Sequence, residues 1–291
     1  MKKVILLIIS FLLLIACEKE NENENENTKH KITCSFISPS NNAVFYNNIK
    51  IDLTVSTSET VKKVEYYLDS SSTIDKQLIG SVISEPYTFK WIPVNINAGN
   101  HKLTCIVIPE EGEEANCEIN ITVKLKLGDS FKGGKIFFVD ETGEHGLIAS
   151  ENDVTMGGDS TFYWGPKKNA YGFPSIISAF DANYGKYNTL EMTCSCPSSK
   201  YAGYAFKDGY DLNGYNDWYI PAQEELKTLL KNQDYVGGFP IPSSNAIWNS
   251  TYWSSTESDL NTAVALNTIV MTVTYVTIED HCYRIRPIRE F

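Results

Sequence analysis

The chain has 291 residues, of which 36 are acidic and 25 are basic, so its formal net charge at pH 7 is −11. Hydrophobic residues make up 42% of the sequence, which is enough to build buried cores and excludes a wholly disordered chain. The length is that of one or two domains. The acidic balance disfavours polyanions, so we expect no nucleic-acid partner.

The N-terminus carries the features of an export signal. Two lysines precede an apolar run over residues 4–15, which is too short to span a bilayer as a permanent helix. The run ends in Leu14-Ile15-Ala16-Cys17, which resembles the lipobox of bacterial lipoproteins. That resemblance implies that residues 1–16 are a signal peptide and that Cys17 carries a lipid anchoring the protein to a membrane. An ordinary signal peptide with an incidental cysteine is the alternative.

Residues 17–31 are predicted to be the lipidated cysteine and a disordered tether. Glu and Asn alternate over residues 18–27 without any apolar residue, so this tract cannot form a core. An acidic stretch directly after a lipidated cysteine resembles the surface-export signal of some Gram-negative lipoproteins. We therefore expect an outer-membrane lipoprotein exposed at the cell surface, with a periplasm-facing protein as the alternative.

Residues 32–126 are predicted to form an all-β sandwich. Apolar and polar residues alternate in several short segments, with turn residues between them. Four of these segments, taken in order, resemble the bacterial Ig-like modules of secreted proteins: Ile37-Ser38-Pro39, Val64-Glu65-Tyr66-Tyr67-Leu68-Asp69, Pro86-Tyr87-Thr88-Phe89-Lys90-Trp91 and Ala98-Gly99-Asn100-His101-Lys102-Leu103. The resemblance implies a module that spaces or presents another domain.

Residues 127–291 are predicted to form a separate α+β domain. It opens with a glycine-rich hairpin over residues 128–149, and its end alternates over residues 263–276 and 282–288. The clearest helix is predicted from Pro221 to Lys231, where three leucines share one face. Weaker helical stretches lie near residues 175–182 and 198–206.

Ordered motifs in this second domain carry a further resemblance. They are Gly214-Tyr215-Asn216-Asp217-Trp218-Tyr219-Ile220-Pro221, Glu224-Glu225-Leu226, Tyr252-Trp253-Ser254-Ser255-Thr256-Glu257 and Tyr283-Arg284-Ile285-Arg286-Pro287-Ile288-Arg289. Together they resemble the Lcl C-terminal-like domain of a collagen-like adhesin and the FISUMP-type major paralogous domains. Those domains are similar in fold to C-type lectins and to the formylglycine-generating enzyme. The resemblance implies a C-type-lectin-like fold, although Ala222 stands where many members have Ser or Thr.

Four residues are candidates for a ligand surface. Trp248 and Trp253 offer rings that can stack on sugars, while Arg284 and Arg286 can bind an anionic sugar. The alternative is that the tryptophans belong to the core and that the arginines pair with nearby carboxylates.

An oxygen-rich run is a candidate calcium site. It comprises Asp208, Asp211, Asn213, Asn216 and Asp217, with glycines between them. Calcium prefers such oxygen ligands on a flexible loop, but the spacing is not that of an EF-hand. Turn formation explains the same residue types without a metal.

The cysteines that remain after Cys17 leave several pairings open. Cys105 and Cys117 are symmetric about a predicted turn, so they are expected to face each other across two strands; Cys34 is an alternative partner for Cys117. Cys282 is a candidate partner for either Cys194 or Cys196. Unpaired buried thiols are the remaining alternative.

The sequence motifs of zinc proteases, serine hydrolases and phosphate-binding loops do not occur in the sequence. We therefore expect a non-catalytic adhesin that binds a glycan or an extracellular polymer. The alternatives are a structural lipoprotein that assembles with envelope proteins and an enzyme that acts on polysaccharide.

Overall fold

A computed structural model describes residues 31–70, 76–166, 184–195, 198–240 and 247–291. The predicted signal peptide and residues 17–30, including Cys17, lie outside this part of the chain. Among the described helices, none combines the length and the apolar character needed to cross a membrane.

The N-terminal part of the chain is a two-sheet β-sandwich. Its eight strands are β1 (Cys34–Ser38), β2 (Ala43–Tyr46), β3 (Ile51–Thr57), β4 (Lys63–Ser70), β5 (Lys76–Val82), β6 (Thr88–Trp91), β7 (Gly99–Ile108) and β8 (Ala115–Lys124). One sheet has the order β1-β3-β6 and the other β2-β8-β7-β4-β5. All neighbours are antiparallel except β2 and β8, which run parallel.

The alternation in the sequence explains how this sandwich closes. Successive side chains on a strand point to opposite faces, so each strand turns one apolar row towards the other sheet. Leu53, Val55 and Tyr66 lie in these rows and are fully or almost fully buried. The predicted all-β sandwich is confirmed.

The C-terminal part combines small sheets with short helices. The strands are β9 (Ser130–Phe131), β10 (Gly134–Val139), β11 (Gly146–Ala149), β12 (Tyr210–Leu212), β13 (Tyr215–Trp218), β14 (Thr251–Glu257), β15 (Thr262–Asn267), β16 (Val273–Thr277) and β17 (Ile288–Glu290). The helices are α1 (Gly185–Ser195), α2 (Gln223–Lys231) and α3 (Gln233–Val236), with 3₁₀ turns at Ala202–Phe206 and Ile247–Ser250. The sheets have the orders β17-β11-β10-β9, β12-β13 and β14-β15-β16.

Helix α2 begins two residues later than the predicted Pro221, and its first turn is capped from a distance. Ala222 has no side-chain oxygen, but Thr256 on β14 accepts a hydrogen bond from the N–H of Gln223 at 2.9 Å. The carboxylate of Glu225 accepts the N–H of Ala222 at 2.7 Å, which is half of a capping box. A strand distant in sequence therefore supplies the hydroxyl that the local sequence lacks.

Helix α1 was not predicted because some of its apolar residues face solvent and some of its polar residues face the core. Tyr187 and Leu190 are exposed, whereas Asn188 and Thr189 are buried. A pattern search that assigns apolar residues to the core does not detect such a helix. The predicted helical stretch at 198–206 is the 3₁₀ turn Ala202–Phe206, and the stretch at 175–182 lies outside the described residues.

The alternating end of the chain is less regular than predicted. Residues 263–276 form β15 and β16, but residues 282–288 contribute isolated bridges, such as Phe162 with Tyr283, before β17 begins at Ile288. This segment is buried among several sheets instead of extending one of them, since Tyr283 and Ile285 lie in the large apolar core.

Two hydrogen bonds join the N-terminal sandwich to the first hairpin of the C-terminal part. The side chain of Asn48 donates to the carbonyl of Ser130 at 3.3 Å, and the N–H of Lys132 donates to the side chain of Asn95 at 2.9 Å. Leu125, just after β8, is buried in the C-terminal core. The linker between the two parts is therefore short and packed.

Candidate functional site

A cleft beside helix α1 is a candidate site in the described C-terminal part of the chain. We call it the α1 cleft, and its volume is about 630 Å³. It is lined by Tyr184, Gly185, Lys186, Tyr187, Thr189, Leu190, Thr193, Phe206, Lys207, Gly209, Asn216, Asp217, Trp218, Tyr219, Glu225 and Glu290. It therefore combines aromatic rings with carboxylates and lysines.

An exposed aromatic row forms one wall of the cleft. Tyr184 is 64% exposed, Tyr187 is 56% exposed and Leu190 is 60% exposed, and they recur every three residues along one side of α1. Large apolar groups that face solvent at a cleft are typical of ligand sites. The rings offer flat faces on which a sugar can stack.

The buried side of α1 holds this row in place. The hydroxyl of Thr189 donates to the carbonyl of Gly185 at 2.7 Å and accepts the N–H of Ile220 at 2.9 Å. Met192 is fully buried in the large apolar core. Because polar groups and one methionine anchor the helix, its aromatic face is left free to meet solvent.

The β13 strand supplies the base of the cleft. Trp218 is almost fully buried, and Asp217 beside it forms a two-pronged ion pair with Arg289, with N–O distances of 2.7 Å and 2.8 Å. The hydrogen bonds and charge of Arg289 lower the pKa of Asp217. Asp217, a candidate calcium ligand in the sequence, is therefore paired with an arginine of the last strand.

Glu225 lies deeper in the cleft, at the first turn of α2. Its carboxylate accepts the N–H groups of Ala222 and Gly185 at 2.7 Å and 3.1 Å and the hydroxyl of Tyr219 at 3.2 Å. Burial raises the pKa of Glu225 to about 7, and these hydrogen bonds oppose that rise. The cleft thus holds one carboxyl group with a raised pKa and one, Asp217, with a lowered pKa.

The rim of the cleft is charged and exposed to solvent. Lys186 on α1 and Glu290 on β17 form an exposed ion pair at 3.3 Å. Such a pair contributes little to stability and separates easily, so both groups are available to hydroxyls of a ligand.

The predicted ligand surface is not assembled in the structure. Trp253 is fully buried, and its Nε1 donates to the carbonyl of Phe162 at 2.7 Å. Arg286 is also fully buried, and Arg284 shares Asp153 with it. The side chain of Trp248 lies outside the described residues. Core packing and ion pairing, which the sequence left open as the alternative, account for these three described residues.

The predicted calcium residues lie on and around the β12–β13 hairpin. Asn213 and Gly214 form its two-residue turn with positive φ angles of 55° and 80°, which is why this Asn-Gly pair stands there. Asp208, Asp211 and Asn216 are exposed, Asn213 donates to the carbonyl of Gly133, and Asp217 is paired with Arg289. Within the described residues, these three aspartates do not converge on one point.

The early cysteines meet in the N-terminal sandwich. Cys105 and Cys117 are directly opposite each other on β7 and β8, as predicted, and Cys34 approaches both from the other sheet. All three are free thiols in this structure. Cys282 is exposed and free, and Cys196 lies outside the described residues.

Sequence reasoning did not find the α1 cleft. The available signal was the spacing of Tyr184, Tyr187 and Leu190, which repeats every three residues but ordinarily indicates a buried stripe. The role of Glu225 was equally hidden, because its contacts with Gly185 and Tyr219 exist only in the folded chain.

Comparison with known families bears on the sandwich. Residues 33–105 match the bacterial Ig domain family. This segment is a bacterial Ig-like module. No curated protein matches the chain.

Solved structures match about a third of the chain, at low identity and with low TM-scores. A fibronectin(III)-like module of Clostridium thermocellum CbhA is 23% identical, covers 32% of this chain and 96% of that chain, and has a TM-score of 0.27. CopC from Methylosinus trichosporium OB3b is 13% identical, covers 32% of this chain and 95% of its own, and has a TM-score of 0.25. Murine CRIg is 10% identical, covers 33% of this chain and 98% of its own, and has a TM-score of 0.24.

Proposed function

We propose that this protein is a lipid-anchored adhesin of a bacterial envelope, and that it binds a glycan without catalysis in the α1 cleft. The observation that carries this proposal is the exposed row of Tyr184, Tyr187 and Leu190 along a cleft of about 630 Å³. The apolar side chains on this face of the helix gain no free energy from burial within the folded chain. A ligand that covers them would supply that gain, so the face is suited to ligand binding.

The order of domains supports the same role. An Ig-like module stands between the predicted lipid anchor at Cys17 and the domain that carries the cleft. Bacterial Ig-like modules occur in surface and adhesion-type proteins, where they space a binding domain away from the membrane. The motif resemblance of residues 127–291 to C-type-lectin-like domains agrees with sugar binding, and that finer fold is part of the proposal.

The chemistry of the cleft favours a neutral polysaccharide or an amino sugar. Tyrosine rings pack against the C–H faces of sugar rings, and Lys186, Asn216 and Glu290 offer donors and acceptors for hydroxyl groups. Arg289 is already occupied by Asp217, so it is not free to bind a carboxylate or sulfate of an acidic sugar.

A glycan and glycosaminoglycan array tests the proposal. The protein spanning residues 18–291 is applied with and without a calcium chelator, beside a Tyr187→Ala variant. Binding to neutral glycans that Tyr187→Ala weakens supports the α1 cleft, and sensitivity to the chelator adds calcium to the site. An empty array, or binding that ignores Tyr187→Ala, overturns the proposal and favours a structural lipoprotein that assembles with envelope proteins.

One observation favours a second candidate, an enzyme that acts on polysaccharide. Glu225 and Asp217 line one cleft, and their surroundings move their pKa values in opposite directions. Glycosidases use such a pair, in which a protonated carboxylic acid faces an ionised carboxylate. The test is the release of new reducing ends from a polysaccharide that binds on the array. Loss of this release in Glu225→Gln, with binding unchanged, would establish the activity.

A further inference from the structure

Three thiols converge at one edge of the Ig-like module. The Sγ atoms of Cys34, Cys105 and Cys117 all lie within 4.8 Å of one another. They come from both sheets: Cys34 stands at the start of β1, while Cys105 and Cys117 are paired residues on β7 and β8. The tertiary structure therefore brings together residues that are up to 83 positions apart in the chain.

The surroundings of these thiols are those of a site with one open side. Cys105 is fully buried in the sandwich core, whereas Cys34 and Cys117 are half-buried at its edge. The thiol of Cys34 is in hydrogen-bonding contact with those of Cys105 and Cys117, so the three sulfurs form one group. Cys34 and Cys117 therefore give the group a partly exposed side.

We propose that Cys34, Cys105 and Cys117 bind one thiophilic metal cation, and that this cation is Cu(I). A metal at the centre of three thiolates, with metal–sulfur bonds of about 2.3 Å, requires sulfurs about 4.0 Å apart. The observed grouping meets that requirement with small side-chain shifts. On binding, the cation replaces the protons of the thiols, and those protons pass to solvent.

The donor set distinguishes Cu(I) from its competitors. Thiolates are soft ligands and select Cu(I), zinc and iron–sulfur clusters over calcium or magnesium. Structural zinc takes four protein ligands in almost every case, and within the described residues this group of His, Cys, Asp and Glu side chains has three members, all cysteine. Three sulfurs complete the trigonal shell of Cu(I) without a fourth ligand.

An anaerobic titration of the reduced protein, residues 18–291, tests this site. Cu(I) is added in competition with bathocuproine disulfonate, and Zn(II) is tested in a separate arm. We expect one Cu(I) per chain, and an affinity that falls at least about 100-fold in Cys34→Ser, because even loss of outer-shell partners costs 10–100-fold. Cys194→Ser and Cys282→Ser are the matched controls and retain full affinity, since both thiols are exposed elsewhere.

X-ray absorption at the copper edge keeps the test decisive if Cys34→Ser does not fold. The wild-type complex is expected to show three sulfur neighbours at about 2.3 Å. Equal affinities for the wild type and a folded Cys34→Ser variant would overturn the site, as would a preference for nitrogen or oxygen neighbours. Tight Zn(II) binding without Cu(I) binding would overturn the choice of metal. A disulfide between any two of Cys34, Cys105 and Cys117 in protein isolated from cells would overturn the proposal as well.

Discussion

The Nε atom of Arg286 lies 2.7 Å from the Oδ1 atom of Asp153, and the guanidinium is completely buried. Its other nitrogens donate to the carbonyls of Ser150, Gly237 and Gly238, and its Cζ atom lies 4.0 Å from the centre of the Phe239 ring. A single side chain thus joins its own segment to two others, residues 150–153 and 237–239. Arg286 is a structural residue, and its buried, paired guanidinium cannot bind a ligand.

Arg286→Met is expected to lower the free energy of unfolding by about 3–5 kcal/mol. Removing one partner of a buried ion pair leaves desolvated polar groups without compensation. Urea unfolding followed by tryptophan fluorescence measures the effect, since Trp164 and Trp253 are buried in the same domain. Lys186→Met is the control; it breaks the exposed pair with Glu290 and is expected to cost less than about 1 kcal/mol. Equal losses in the two variants would contradict the structural role of Arg286.

Thr256→Val is expected to destabilise the C-terminal domain by about 1–2 kcal/mol. The substitution keeps the shape of the side chain and removes the hydroxyl that caps the N–H of Gln223 at the start of α2. Thr256→Ser keeps the hydroxyl and serves as the matched control in the same urea experiment. If the serine variant lost as much stability as the valine variant, lost packing and not capping would explain the effect.

Tyr187→Ala is expected to weaken glycan binding about fivefold, because an aromatic stacking contact contributes on the order of 1 kcal/mol. Tyr275→Ala is the control; this tyrosine is 66% exposed on β16 and does not line the α1 cleft. Isothermal titration with the best glycan from the array compares the two. A similar loss of affinity in both variants would remove the α1 cleft from consideration.

The stability of the protein is expected to fall as the pH rises from about 4.5 to about 7, through Glu225. Its pKa is raised from 4.5 to about 7 by burial, so over this range the folded chain holds a proton that the unfolded chain has released. A group whose pKa is higher in the folded state therefore favours folding at low pH, by at most about 3 kcal/mol here. Urea midpoints of wild type and Glu225→Gln are compared at pH 4.5 and pH 8. The difference between the urea midpoints of wild type and variant is expected to change between the two pH values. The same difference at both pH values would refute the raised pKa.

Local pattern was sufficient for the N-terminal module. Most of its strands, such as β3 and β8, alternate apolar and polar residues with a period of two, and that period identifies a β-strand with one buried face. Leu53 and Val55 lie on such an alternating segment, and both are buried. The Asn213-Gly214 turn belongs to the same class, since its positive φ angles are a local property of those two residues.

The candidate site depended on contacts between distant parts of the chain. Whether an arginine meets a ligand or a carboxylate is decided by what folds next to it, and Asp153 lies 133 positions before Arg286. The same reason applies to α1, where Thr189 is buried because it bonds Ile220 and Tyr187 is exposed because nothing in the described chain covers it. Single-residue propensity carries no information about either contact.

The sequence by itself determined most strands of the Ig-like module and the main C-terminal helix, because periodicity and turn chemistry act over a few residues. Only the tertiary structure decided which polar groups are satisfied inside the protein and which remain at the surface. It buried Trp253 and Arg286, opened the α1 cleft and brought three thiols from two sheets to one place. The physical reason is that burial and hydrogen-bond partners are properties of the packed chain, not of a residue and its neighbours in sequence.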